Sequence, residues 1–104
     1  MKAKYLVVFY RMSENFGGHA PDVPGCFSTG QTLEEMRSNM IEALEFHLEG
    51  TAEEGLPIPQ SRTTVIDFGP TSENYDPNVL YTVVEWLEVE VSVSEKSRAF
   101  AAAD

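Results

Sequence analysis

Three kinds of side chain in this sequence could carry chemistry: its acids, its two histidines and its one cysteine. Asp22, Glu42 and Glu45 are the acids from which a metal-dependent nuclease would be built, since two-metal hydrolysis needs several carboxylates converging from different elements. Glu42 and Glu45 are three apart, which on a helix turns them the same way. The first apolar run, residues 4–10, holds no acid, so one wall of such a centre is missing. His19 and His47 stand alone, without metal-ligand spacing: His47 reads as a packed or capping side chain, while His19, in a glycine-flanked strand, is open to exposure and could join Asp22 and another carboxylate in a metal site only in principle. Cys26 would need a base and electropositive surroundings to become a nucleophile. In so acidic a chain it reads as a structural residue. Ser13, Ser28 and Thr29 lie in no G-x-S-x-G elbow, and no glycine-rich phosphate loop is present. These residues call for neither an enzyme nor a cofactor, and a metal-dependent nuclease using Asp22, Glu42 and Glu45 stays as an alternative.

The elements that must hold these groups follow from periodicity. Tyr5-Leu6-Val7-Val8-Phe9-Tyr10 predicts a strand over 3–12 that is apolar on both faces and therefore covered on both. A weaker strand is expected over 16–22, weakened or bulged by Gly17-Gly18. Pro24-Gly25 marks a turn before a short strand over 26–29, so the three form an antiparallel meander. Thr32 and Glu35 make a capping box. Leu33, Met36, Met40, Ile41, Ala43, Leu44 and Leu48 then form a helical stripe that Gly50 closes. The outer face carries Glu34, Arg37, Ser38, Glu42, Glu45 and Glu49. After a connector broken by Gly55, Pro57 and Pro59, a short edge strand is expected over 63–68 and a loop over 69–78. The last strand is predicted over 79–93, with Leu87, Val89 and Val91 inward and Glu88 and Glu90 outward. At ~3.3 Å per residue it would span about 50 Å, enough to reach outside its own sheet and pair with another chain. Residues 94–104 are expected as a short tail, helical or frayed. The order β-β-β-α-β gives an α+β domain over 1–93. With the helix as the crossover, the last strand is expected parallel to the first, in a small mixed sheet with one main helix packed on it.

Seven Lys and Arg against seventeen Asp and Glu leave a net charge of −10. No two basic residues are adjacent, so direct nucleic-acid binding is excluded for want of clustered cations. The acidity serves solubility or a basic protein partner. At 42% hydrophobic residues the chain is an ordinary globular one, able to bury a core. One cysteine excludes an internal disulfide framework. The apolar run after Met1-Lys2-Ala3-Lys4 is too short for a signal peptide, and no window approaches a membrane span. A cytoplasmic protein is expected.

The run Ala20-Pro21-Asp22-Val23-Pro24-Gly25-Cys26-Phe27-Ser28-Thr29-Gly30-Gln31-Thr32-Leu33-Glu34-Glu35, followed by Asn39, Glu42-Ala43, His47-Leu48-Glu49 and the exit Gly55-Leu56-Pro57-Ile58-Pro59, resembles the HicB antitoxin family. The likeness covers about the first sixty residues. It implies a partial ribonuclease-H-like fold without a working nuclease centre. It also implies an antitoxin role: binding and occluding a small basic ribonuclease toxin of the HicA type, with a tendency to homo-oligomerise. Gln31 stands where the family commonly has Asp, and 62–93 carry no recognisable match. Residues 94–104 are too short for the DNA-binding segment that full-length members usually carry, so operator binding is not expected.

The expected function is therefore a non-enzymatic binding module in a toxin–antitoxin system. Its expected partner surface combines the acidic helix face (Glu34, Glu42, Glu45, Glu49) with the exposed part of the last strand (Glu85, Trp86, Glu88, Glu90). Trp86 serves as anchor if it is exposed. The competing expectation is an orphan, self-associating domain without a toxin.

Overall fold

The computed structural model describes residues 1–69, 71–72 and 75–92. The expected tail at 94–104 lies outside them. The chain runs β1 (Lys2–Arg11), β2 (Phe16–His19), β3 (Phe27–Gly30), α1 (Leu33–Glu53) and β4 (Tyr81–Glu90). One four-stranded sheet has the order β3-β2-β1-β4. The meander is as expected: β1 pairs antiparallel with β2, and β2 with β3. The glycine pair makes no bulge. A Cβ at Gly18 would lie 2.8 Å from a Phe9 ring carbon and 3.3 Å from the Met36 methyl, so this position needs glycine for the helix to close onto the sheet.

The direction of β4 corrects an expectation. β4 runs antiparallel to β1, from Lys2↔Glu90 to Arg11↔Tyr81, so the sheet is wholly antiparallel rather than mixed. The reason is the connector over 54–80, which is long enough, when extended, to carry the chain back along the sheet. The helix is thus half of the crossover and the connector the other half. Residues 63–68 are part of this extended return and form no strand. Every residue of β4 pairs with β1, so none of the expected overhang is present among the described residues.

Side chains alternate across the sheet as the pleat demands. Tyr5, Val7 and Phe9 of β1 and Leu87 and Val89 of β4 face the helix, and Val91 follows them into the core. Met36, Met40, Leu44, Leu48 and Ala52 meet them from α1, one every four residues. Leu6 and Val8, on the other face of β1, are buried as well, in keeping with the doubly apolar run. The N-cap is as expected: Thr32 Oγ1 accepts from the Glu35 N–H at 3.1 Å. The helix end is not. α1 passes through Gly50 to Glu53, and the positive-φ glycine that follows it is Gly55, at 77°. Gly50 is helical because the packed stripe extends another turn to Ala52, and burial there outweighs glycine's poor helix propensity.

Candidate functional site

The three acids of the nuclease alternative are not brought together. Asp22 sits in the turn after β2 and fastens the connector. Its carboxylate accepts from the Arg62 N–H at 2.7 Å, the Thr63 N–H at 2.7 Å and the Thr63 hydroxyl at 2.6 Å. Burial pushes its pKa up, but those bonds outweigh it, so Asp22 ionises below its ordinary range. Glu45 turns to the sheet edge, where it accepts from the free Glu90 N–H of β4 at 2.9 Å. Glu42 stays exposed on the helix. Among the described residues, no three His, Cys, Asp or Glu side chains could share a metal ion. Cys26 is buried, which pushes its thiol up, away from the thiolate.

The expected partner surface divides in two. Glu34, Glu42 and Glu49 lie on the solvent side of α1. Trp86, Glu88 and Glu90 point from the opposite face of the sheet, since Trp86 pairs with Leu6 and Glu88 with Lys4. Glu85 belongs to neither surface. It faces the helix, where Arg37 grips it through two nitrogens, Nε lying 2.8 Å from Oε2. That hydrogen bonding holds the Glu85 carboxyl below its usual range. Glu88 lies 3.9 Å from the Lys2 ammonium and Glu90 3.3 Å from the chain's amino terminus. Glu42 and Glu49, by contrast, make no hydrogen bond or ion pair among the described residues. Trp86 is 45% exposed and is the outward aromatic that an anchor requires.

Sequence reasoning overlooked two features. Phe46 is 82% exposed in the middle of the acidic helix face. Its signal was present: it falls two residues from both Leu44 and Leu48, out of step with the buried stripe. The second is a cleft of about 760 Å³ beside β1 and β2, lined by Tyr10, Asn15, Gly17, His19, Tyr75 and Asp76 among others. Inside it the Tyr10 and His19 rings stack at 5.4 Å, and the Tyr10 hydroxyl is hydrogen-bonded to His19 Nδ1. Burial holds the imidazole below its ordinary value, so His19 is neutral at pH 7. Only strand register joins these two residues, which no local motif reveals.

Residues 5–99 match the family model described as "HicB_like antitoxin of bacterial toxin-antitoxin system". An uncharacterized 14.9 kDa protein from the rep-hol intergenic region of Haemophilus phage HP1 (strain HP1c1) is 40% identical over 57 residues, 55% of this chain. That match spans 43% of the phage protein, less than half its length. Among solved structures, a toxin–antitoxin complex from Streptococcus pneumoniae superposes with a TM-score of 0.71 at 18% identity, covering 91% of this chain and 75% of that one. A chain of the HicA3 and HicB3 toxin–antitoxin complex is 27% identical with a TM-score of 0.51, covering 86% of this chain and 98% of that one.

Proposed function

The chain belongs to the HicB_like antitoxin family, and from that premise we propose that it is a binding protein that captures and neutralises a small basic ribonuclease toxin of the HicA type. The observation that carries this reading is the acid on the solvent side of α1, of which Glu42 and Glu49 make no hydrogen bond or ion pair among the described residues. Glu45 and Glu85 are spent on the chain's own edge strand and on Arg37. Glu34, near Arg37, and Glu42 are exposed, and Glu49 is half-buried beside them, on a chain of net charge −10. Such a surface attracts a cationic protein from a distance and rejects acidic ones. The solved complex of HicA3 with HicB3 supports the same pairing. The sheet face bearing Trp86, Val84 and Phe27, each more than 40% exposed, supports a second contact between copies of this chain. None of the described helices is long and apolar enough to cross a membrane, and the cytoplasm, where a ribonuclease toxin finds its substrate, is the proposed compartment.

The test is whether the reading frame adjacent to this chain's gene encodes a small basic protein that the chain captures. The triple variant Glu34→Lys, Glu42→Lys, Glu49→Lys should weaken that capture at least tenfold while leaving the fold intact by circular dichroism. Unchanged affinity would show that the helix face is not the partner surface.

A further inference from the structure

α1 buries one stripe, Met36, Met40, Leu44, Leu48 and Ala52. At about 100° per residue Phe46 projects roughly 200° away from Leu44, toward solvent. Its ring takes no part in the core and is 82% exposed. Phenylalanine is also a poorer helix former than alanine, so helix propensity does not account for the ring at this position. Its neighbours along the helix surface are Glu42 one turn before, Glu49 and Gly50 one turn after, and Glu53 two turns after. A Cβ at Gly50 would meet nothing within 4 Å, so the flank beside the ring is open. Among the described residues no hydrogen bond or ion pair relieves Glu42, Glu49 or Glu53: Arg37 is held by Glu85, and the last helical turn has no basic residue.

We infer that Phe46 is the anchor of the partner interface, inserting into an apolar pocket of a basic protein while Glu42, Glu49 and Glu53 form the charged rim around it. This rests on the basic-partner reading above and deepens it by naming the residue that carries the affinity. The charge decides the occupant. A second copy meeting this face with its own would set glutamate against glutamate, and an anionic lipid or nucleic-acid surface would be repelled in the same way. A cationic protein satisfies both the rim and the ring, the arrangement of a central aromatic anchor within a polar border.

The probe is the purified product of the adjacent reading frame, required by the same reading to be a small basic protein, titrated against the full chain by biolayer interferometry. Phe46→Ala should raise Kd about thirtyfold, mainly through faster dissociation. Helicity and Tm should hold, because an exposed Phe to Ala change leaves no cavity. Val65→Ala, which removes an apolar side chain 81% exposed on the connector, should leave Kd within twofold. Phe46→Ala binding within twofold of the unmodified chain would overturn the anchor and leave the basic-partner reading standing. Failure of the unmodified chain to bind the probe would overturn that reading and the anchor together. If light scattering shows a dimer that Phe46→Ala dissolves, the occupant is a second copy and the assignment to a basic partner is wrong.

Discussion

Asp22 is the residue whose type most suggested catalysis and whose geometry most plainly shows structure. With three donors on one carboxylate, it fastens the connector to the turn after β2. Its ionisation lies below the ordinary 3.8. A depressed carboxyl stabilises the fold above that ordinary value and loses the contribution as pH falls through the lower, folded value. Asp22→Asn should therefore cost about 1–2 kcal/mol in urea unfolding at pH 6. The gap should begin to close as pH falls below 3.8 and vanish below the depressed folded value, where the native residue is also neutral. A deficit that persisted unchanged at low pH would assign the loss to something other than the carboxylate's charge. At this scale the sequence was a partial guide. Residue types marked Glu45 and Glu85 as surface acids. Their partners, the Glu90 amide and Arg37, lie 45 and 48 positions away and become neighbours only through the β1–β4 pairing and the helix laid across it.

Among the elements, β1, α1 and the inward side of β4 were legible because one local rule governs each: an apolar run, a four-residue stripe after a capping box, and a two-residue alternation. The helix end was misplaced because two glycines compete for it, and propensity alone favours the first. Packing decides for the second, since Ala52 is buried. The two glycines should accordingly respond to alanine with opposite signs. Gly50→Ala, with free space around the new methyl, should raise stability by about 0.8–1 kcal/mol. Gly55→Ala, at φ 77°, should lower it by about 1–2 kcal/mol. Urea midpoints of the two variants measure both, and a shift in the same direction would refute this assignment of the helix end. The direction of β4 was illegible for a different reason. Nothing local in 54–80 states whether the chain returns along the sheet or crosses straight over, and the length of that segment permits either.

For the whole molecule, the charge of −10 acts on two kinds of encounter with opposite sign. Copies of the chain repel one another, while a basic partner is drawn in. Salt screens both, the Debye length falling from roughly 10 Å at 0.1 M to roughly 3 Å at 1 M. Raising salt should therefore strengthen self-association, read by light scattering, and slow capture of the basic protein, read as an association rate. If the two responses share a sign, electrostatics does not govern the choice of partner. The fold class and the antitoxin reading were visible because turn, cap and helix stripe fall in order within the first sixty residues. The division of the acids over two faces was not, since it depends on which strand closes the sheet.

That closure has a consequence for how the protein is made. β1 lies between β2 and β4 in the sheet, and its outer edge is covered by β4, with the Met1 amino group 2.9 Å from the Val91 carbonyl across 90 positions of sequence. On a ribosome adding roughly 5–20 residues per second, β1 emerges several seconds before its last neighbour exists. Through that interval an apolar strand waits with one open edge, the hazard that finished sheets guard against. The half-made chain can complete its meander and helix, yet it stays adhesive along β1 until the final strand arrives.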